Sequence, residues 1–322
     1  MVLHESKRIT VVGAGFMGCV IATMYSNYGY EVVLNDVKED LLNTYAARAL
    51  PIAAGLARSA EEARAIVGRV TTEVDFAKAV DGASLVHETI HENLDAKREL
   101  FNRLDALCVP EVILATNTSS FLLSDICKDV HRAERTVGIH YVTPAHVIKT
   151  VEIIKGPKTS DEVVQWAKAF VHTLNHVGIV CEERPGFIVN RLQFAMLTEI
   201  YRMIHEGYAV PDDIDEAVRG SLGPRLALWG PLMCEDLVAS KSTMLAVTDY
   251  LGGETGQASF DPSAVLRELV SADRQGATHG KGWYNWKRPY PELVEERDRQ
   301  LADLFEWLEQ RKSVESLRAV KC

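Results

Sequence analysis

The sequence predicts an α/β protein, with a doubly wound sheet in its N-terminal part and an all-α domain after it. Two observations support this prediction. Up to Pro185, apolar runs typical of strands alternate with helix-like segments, which is the pattern of a sheet with parallel strands at its core. After Pro185 the pattern becomes mostly helical, beginning with a long segment over residues 187–206. We therefore expect two domains, residues 1–185 and residues 186–322.

Length, composition and charge limit the classes of protein to which this chain can belong. The chain has 322 residues, 47% of them hydrophobic, which is enough for two domains with a sizeable core. A net charge of −10 argues against a nucleic-acid partner, which usually needs a basic surface. No uncharged apolar run of membrane-spanning length occurs, and the N-terminus lacks the apolar region of a signal peptide. The six scattered cysteines suit reduced thiols, so we expect a cytoplasmic protein that contacts neither membrane nor nucleic acid.

The first βαβ unit carries a glycine-rich fingerprint. An apolar strand ending at Val12 is followed by Gly13-Ala14-Gly15-Phe16-Met17-Gly18, a helix-like segment and a second strand that leads to Asp36. This is the context in which G-x-G-x-x-G binds a dinucleotide. Gly13 permits the turn, Gly15 admits the pyrophosphate, and Gly18 allows close helix packing, while the helix N-terminus attracts the phosphates. Asp36 would bind the adenine-ribose hydroxyls and repel a 2′-phosphate, so a Rossmann-type fold with NAD as cofactor is predicted. The cofactor-binding residues expected here are Gly13, Gly15, Phe16, Met17, Gly18 and Asp36.

The remaining elements follow in order. Residues 38–68 are predicted to form helices broken at Pro51 and Gly55. Short helices are expected over 76–80 and 93–107, and an amphipathic closing helix over 292–312. Strands are expected over 69–75, 84–89, 112–116, 136–141, 151–154 and 178–181.

Polar residues lie where catalytic groups would be expected. Residues 115–120 follow an apolar strand, and ligands bind outside the carboxyl ends of such strands. His140 closes another strand, and Glu152 lies on the next one. A carboxylate beside the imidazole would fix its tautomer, so that the histidine could act as a general base on an alcohol. A purely structural histidine is the alternative.

A zinc-protease string also occurs. His87-Glu88-Thr89-Ile90-His91 matches H-E-x-x-H, which binds zinc only when both histidines share one helical face. These residues close an apolar strand, where four residues span about 13 Å. We therefore expect no metal site here.

The order of motifs resembles the 3-hydroxyacyl-CoA dehydrogenase family. After the fingerprint come TNTSS (116–120), GIHY ending at Tyr141, VEII (151–154) and PGFIVNRL (185–192). The match extends over nearly the whole chain. It implies oxidation of an (S)-3-hydroxy group to a 3-oxo group with NAD, and pairing of helical domains in a homodimer. It implies these roles: His140 as general base, Glu152 as its partner, Ser119 and Asn190 holding substrate oxygen and histidine, and Glu92, Lys97 and Asn117 beside the nicotinamide ribose.

The chain departs from this family in three ways. Thr143 precedes Pro144, where the family usually has asparagine. The segment SLGPRLALWGP (221–231) is closer to the branch of lambda-crystallin, L-gulonate 3-dehydrogenase and carnitine dehydrogenase, which act on small free acids or zwitterions. Residues 38–70, where the resemblance places contacts to CoA, are not basic. We therefore expect a small 3-hydroxy acid whose carboxylate binds Arg225, with a 3-hydroxyacyl-CoA ester as the alternative. An Arg225 that pairs with a protein acid is the structural alternative.

Two other function classes compete. A non-catalytic protein, crystallin-like or NAD-sensing, would be expected to lose at least one of Ser119, His140, Glu152 and Asn190, yet all four are present. A dehydrogenase of the 6-phosphogluconate or β-hydroxyacid type would use a catalytic lysine. The helix predicted after Gly186 carries Asn190 and has no lysine up to Glu206, which argues against that type.

Overall fold

The computed structural model describes residues 7–261 and 264–311, and the chain divides into two compact units between Thr198 and Glu199. The first unit contains the sheet, and the second is helical. The division falls inside the helix that follows Pro185. The domain boundary at Pro185 stays a prediction.

Within the described ranges, eight strands form one sheet in the order β3-β2-β1-β4-β5-β6-β7-β8. All neighbouring strands are parallel except β6 and β7, which are antiparallel. The parallel core agrees with the prediction, whereas the reversal at β7 was not anticipated. The strands are β1 (Arg8–Val12), β2 (Glu31–Asn35), β3 (Val70–Glu73), β4 (Leu85–Glu88), β5 (Ile113–Thr116), β6 (Thr136–Tyr141), β7 (Thr150–Lys155) and β8 (Val177–Glu182).

The sheet is covered on both faces. Successive side chains of a strand point to opposite faces, and those of the central strands divide between two hydrophobic clusters. Val11 and Leu85 belong to one cluster, while their neighbours Val12 and Val86 belong to the other. A parallel sheet needs this double cover, which explains why its strands are continuous apolar runs.

Helices of the first unit connect the strands. The glycine-rich turn leads into α1, and α6 begins after an Asn93 cap whose side chain accepts from the Ala96 N–H. The helices are α1 (Phe16–Asn27), α2 (Glu39–Asn43), α3 (Tyr45–Leu56), α4 (Ala60–Gly68), α5 (Phe76–Val80), α6 (Leu94–Leu107), α7 (Leu123–Ile126) and α8 (Asp161–Thr173).

One sequence prediction about these helices is wrong. Pro51 and Gly55 do not break the helix, since α3 continues through both residues to Leu56. A proline inside a helix costs about 3 kcal/mol. Buried Tyr45, Ala49 and Ala53 lie on this helix, which packs against α1 and α4. Tertiary packing of an apolar face outweighs local propensity here.

The second unit is mostly helical in its described residues. The predicted long helix is present as α9 (Val189–His205), which starts in the first unit. It is followed by α10 (Pro211–Ala217), a π-helical turn (Val218–Leu222), α11 (Gly223–Val238), α12 (Lys241–Thr255), α13 (Ala264–Ser271) and α14 (Tyr290–Arg311). The last of these is the expected closing helix, although Lys312 at its predicted end lies outside the described residues. None of the helices within 7–261 and 264–311 is both long and apolar enough to cross a membrane.

A buried aspartate organises the centre of the second unit. Asp236 is 1% exposed and accepts hydrogen bonds from the Lys241 ammonium at 2.6 Å and the Trp286 indole at 3.0 Å. The backbone N–H groups of Trp283 and Tyr284 donate to the same carboxylate. Burial disfavours the charge on Asp236, but these donors outweigh it and hold its pKa below the usual value. The carboxylate thus ties the segment after Gly282 to α11.

Candidate active site

The fingerprint glycines shape one end of a cavity of about 620 Å³ at the carboxyl edge of the sheet. A Cβ on Gly13 would lie 2.8 Å from the Thr89 backbone, and one on Gly18 would lie 1.7 Å from the Gly13 carbonyl oxygen. Only glycine therefore fits at these two positions. A Cβ on Gly15 would meet nothing within 4 Å, so this position opens directly into free space. This is the arrangement a pyrophosphate needs in order to approach the backbone at the start of α1.

Asp36 lies at the far end of β2 and lines the same cavity. Its Oδ2 accepts the Ala14 N–H at 2.7 Å, and its Oδ1 accepts the Lys38 N–H at 2.9 Å. These two bonds fix the carboxylate between the glycine-rich turn and the chain after β2. The sequence predicts that this acid binds the hydroxyls of the adenine ribose of NAD, and that role stays a prediction.

A charged network joins the ends of β4 and β5. The Lys97 ammonium lies 2.6 Å from Glu88 and 3.2 Å from Glu92. Glu92 also accepts from the hydroxyls of Thr118 and Ser120. Partial burial opposes the charge on Glu92, but these donors and the Lys97 ammonium hold its pKa below the usual value.

Lys97 and Glu88 are the buried part of this network. Their side chains are 1% and 0% exposed. Burial is the largest influence on Glu88 and raises the pKa of its carboxyl despite the adjacent ammonium. The lysine is engaged by both acids and stabilises the charge of Glu92. The place of Lys97 beside the nicotinamide ribose stays a prediction.

His140 and Glu152 are paired directly across β6 and β7. The His140 Nδ1–H donates to Glu152 Oε2 at 2.6 Å, which leaves Nε2 as the acceptor that a general base requires. The other oxygen, Oε1, accepts the N–H groups of Ile188 at 2.8 Å and Val189 at 2.9 Å. Burial disfavours the charge on Glu152, but the His140 bond and the two backbone donors outweigh it and hold its pKa below the usual value.

The other residues expected at the substrate lie around this dyad. Asn190, in the first turn of α9, donates from Nδ2 to the Ser119 carbonyl oxygen at 2.9 Å. The Asn117 side-chain oxygen accepts the Tyr141 N–H at 2.9 Å, which links the loop after β5 to the residue following His140. The structure thus brings Ser119, Asn190 and Asn117 to the strand ends that carry the dyad.

One contact connects the chain after His140 to the glycine-rich turn. Thr143, three positions after His140, donates from its hydroxyl to the Met17 sulfur at 3.2 Å. Phe16, which starts α1, is 64% exposed. Arg225 belongs to the second unit, where its Nε donates to the Ser221 carbonyl oxygen at 3.0 Å.

His87 of the H-E-x-x-H string has both ring nitrogens engaged inside the sheet. Nδ1 lies 2.7 Å from the Tyr25 hydroxyl, and Nε2 lies 3.1 Å from the Ile139 carbonyl oxygen. Complete burial lowers the pKa of His87 to about 3. A neutral histidine that donates from Nε2 and accepts at Nδ1 satisfies both partners.

Sequence reasoning missed the backbone donors to Glu152 and the role of Glu88. Glu88 ends β4 after the buried apolar residues Leu85 and Val86, and an acid in such a strand was the available signal. The N–H groups of Ile188 and Val189 are main-chain groups beneath apolar side chains. Only Gly186 before them marks an unusual backbone.

A glycine-rich turn, an acid at the end of the second strand and a histidine–carboxylate pair at one sheet edge are typical of an NAD-dependent dehydrogenase. Models of the 3-hydroxyacyl-CoA dehydrogenase family match residues 8–184 (NAD binding domain) and residues 186–286 (C-terminal domain). A probable 3-hydroxybutyryl-CoA dehydrogenase of Bacillus subtilis is 32% identical over 290 residues, covering 88% of this chain and 98% of that protein. The chain belongs to the 3-hydroxyacyl-CoA dehydrogenase family, and it is an NAD-dependent enzyme acting on a CH–OH group.

Solved structures share the fold. A 3-hydroxyacyl-CoA dehydrogenase from Archaeoglobus fulgidus matches with a TM-score of 0.81 at 28% identity, covering 94% of this chain and 99% of that one. A 5-formyl-3-hydroxy-2-methylpyridine 4-carboxylic acid 5-dehydrogenase, an NAD⁺ dependent dismutase, matches with a TM-score of 0.69 at 27% identity, covering 95% and 100%.

Proposed function

We propose that this enzyme oxidises an (S)-3-hydroxy group to a 3-oxo group, with His140 as the general base. The observation that supports this is the 2.6 Å hydrogen bond between His140 and Glu152. It leaves one imidazole nitrogen free to accept a proton, beside a carboxylate that stabilises the resulting positive charge. The ordered polar groups around the dyad suit the recognition of a hydroxyl and a neighbouring carbonyl.

The protein residues have separate tasks in this reaction. His140 takes the hydroxyl proton at Nε2 while its Nδ1–H stays bound to Glu152. Ser119 and Asn190 hold the reacting oxygen against the imidazole. When bound along Gly13, Gly15 and Asp36, NAD supplies the hydride acceptor. In the reverse direction the protonated imidazole returns its proton to the 3-oxo group.

For the substrate we propose a small acid with a free carboxylate. Residues 38–70, where the resemblance places CoA contacts, carry five basic residues against four acids. Two of the five are engaged by nearby backbone. Arg48 donates to the Leu41 carbonyl oxygen at 2.6 Å, and Arg69 donates to that of Ser26 at 2.9 Å. The positive charge left for the phosphates of CoA is small, since Glu61 and Glu62 lie on α4 with Arg64, and Arg58 lies just before that helix.

The relatives include enzymes of both substrate types. The dehydrogenase named for a pyridine carboxylic acid is an example of this fold acting on a small free acid. The relatives from Bacillus subtilis and Archaeoglobus fulgidus are named for CoA esters. A 3-hydroxyacyl-CoA of short chain length, such as 3-hydroxybutyryl-CoA, is therefore the second candidate.

The experiment is a substrate panel. The purified enzyme is given (S)-3-hydroxy acids and their CoA esters with NAD or NADP, and the reduced cofactor is followed. We expect NADH with at least one 3-hydroxy substrate, and a higher kcat/KM for a free acid than for its CoA ester. Far higher kcat/KM for the esters would overturn the substrate proposal and leave the reaction type intact. No turnover of any 3-hydroxy compound would overturn the reaction.

We also propose that the enzyme is a cytoplasmic homodimer paired through its helical domain. Large side chains in the described part of the second unit are exposed, with Tyr201 at 62%, Tyr208 at 75% and Tyr250 at 67%. Exposed apolar surface of this kind favours association. The five cysteines within residues 7–261 and 264–311 are free thiols, as suits a reducing compartment. Light scattering at micromolar concentration should give twice the chain mass of 35.8 kDa, and a monomer would contradict the pairing.

A further inference from the structure

We propose that the turn at Gly186 and Phe187 is a positioning element that keeps the carboxylate of the dyad charged. It does so by directing two backbone N–H groups at Glu152. This inference rests on the proposed role of His140 as the base. It adds a task for residues that touch neither substrate nor cofactor.

The backbone of this turn is constrained. Gly186 has a φ of +79° and Phe187 a φ of +51°, so two consecutive residues lie in the left-handed region. That region is unfavourable for a bulky side chain, and such residues persist where the surroundings enforce them, often at functional sites. Phe187 is 3% exposed, and its ring centroid lies 5.9 Å from that of His140. The ring thus packs beside the base while its backbone sets the direction of the following N–H groups.

Those N–H groups belong to the start of a helix. The Leu192 N–H donates to the Ile188 carbonyl oxygen at 3.1 Å, which makes Ile188 the N-cap residue and Val189 the first residue of α9. The first N–H groups of a helix have no partner within it and are usually satisfied by a polar N-cap side chain. Ile188 has no such side chain. Glu152, from strand β7, supplies the acceptor instead, with 2.8 Å and 2.9 Å bonds to Ile188 and Val189.

The two oxygens of Glu152 therefore bind different partners. Oε1 caps α9, and Oε2 binds His140. The positive end of the helix favours the charged form of the acid. The charge of Glu152 also acts on the thiol of Cys181 on β8. Burial raises the pKa of this thiol to about 11, so it stays neutral while the dyad works.

Removing one donor should make the dyad harder to deprotonate. A carboxylate with fewer hydrogen-bond donors has a higher proton affinity, and its more negative potential also favours the protonated imidazole. Both effects make the dyad bind its proton more tightly. The fall in oxidation rate at low pH should therefore begin at a higher pH.

Val189→Pro tests this by removing one donor, and because the proline ring takes the place of the N–H, Glu152 Oε1 also has to move away from Val189. Proline lacks the N–H but is well suited to the first position of a helix, and it restricts only the preceding residue, which is already an N-cap. We expect the acid limb of the kcat profile to move up by about half a pH unit or more, with the KM for NAD unchanged. Ala60→Pro is the matched control, since Ala60 is the exposed first residue of α4. Ala60→Pro should leave the pH profile of kcat unchanged.

A second pair of variants addresses the turn itself. A Cβ on Gly186 would meet only Arg191 and Asn190 atoms at 3.3 Å and beyond, so its φ is the main constraint. Asparagine tolerates a positive φ, so Gly186→Asn should keep the wild-type pH profile of kcat. Valine does not, so Gly186→Val should shift that profile as Val189→Pro does. This pair keeps the proposal testable if Val189→Pro does not fold.

The outcomes separate the two proposals. An unmoved acid limb in both folded Val189→Pro and Gly186→Val would overturn the positioning role, even with His140→Gln inactive. Near-normal turnover in His140→Gln would overturn the general base itself. In a Glu152→Gln background the Val189→Pro change should no longer move the profile, because the neutral amide has no charge for the N–H groups to stabilise. A further shift of the same size there would also contradict the positioning role.

Discussion

His140 and Glu152 occupy directly opposed positions on β6 and β7, and a 2.6 Å hydrogen bond joins them. The two strands are the antiparallel pair in an otherwise parallel sheet. Directly opposed residues of such a pair have their side chains on the same face and within contact distance. The reversal of β7 therefore produces the dyad. A short return of the chain brings the acid beside the base, and no distant element is needed.

Asp36→Ser should weaken NAD binding and relax the discrimination against NADP. The carboxylate is fixed by the Ala14 and Lys38 N–H groups, and a charged hydrogen bond to a ribose hydroxyl would be lost. We expect the Kd for NAD to rise roughly tenfold or more, measured by titration calorimetry. Asp40→Ser removes an exposed acid four residues away on α2 and should leave both affinities unchanged. Equal use of NADP and NAD by the unmutated enzyme would contradict the role of Asp36.

His87 should make the protein less stable as the pH is lowered from 7 to 5. An unfolded histidine binds a proton below about pH 6.5, whereas burial lowers the pKa of folded His87 to about 3. Between these values the unfolded chain holds the extra proton, so acid favours unfolding. Between pH 7 and pH 5 the contribution of this one group is about 2 kcal/mol.

Urea denaturation at the two pH values measures this effect. In His87→Gln the loss of stability between pH 7 and pH 5 should be smaller than in the wild type by about that amount. His172→Gln is the control, because His172 is exposed at the end of α8 and its loss should leave the pH dependence unchanged. The same pH dependence in His87→Gln and wild type would show that His87 is not held neutral.

Arg225→Met should raise the KM for a free-acid substrate by about tenfold or more. The expectation follows from the proposed bidentate contact between its guanidinium and the substrate carboxylate, which would form in both ground and transition states. Arg219→Met offers a control, since Arg219 pairs with Glu216 in the same unit. An unchanged KM in folded Arg225→Met would favour the structural alternative, in which Arg225 serves the helical unit alone.

The sequence predicted most of the fold because its signals were local. The strand over 136–141 and the helix over 76–80 appear with those bounds. Apolar alternation and glycine spacing decide such elements without help from distant contacts. The continuation of α3 through Pro51 was missed, because it depends on packing against α1 and α4. The direction of β7 was missed as well, since an apolar run is the same whichever way its strand runs.

The candidate site was predicted less completely than the fold. The pairing of His140 with Glu152 was expected, and the structure has it. The burial of Lys97 between two acids could not be read from spacing, because it depends on how α6 packs beneath β4 and β5. The capping of α9 by Glu152 could not be predicted from the sequence for a different reason. Its donors are backbone N–H groups, which every residue except proline carries.

The most direct test of the proposed mechanism is the turnover of His140→Gln. Glutamine removes the titratable nitrogen but keeps a polar side chain of similar reach. With the best substrate of the panel, kcat should fall by about 10²–10⁴, the range typical of general base catalysis, while the Kd for NAD stays close to that of the wild type. Turnover within a few-fold of the wild type, in a folded variant that still binds NAD, would contradict the assignment of His140 as the base.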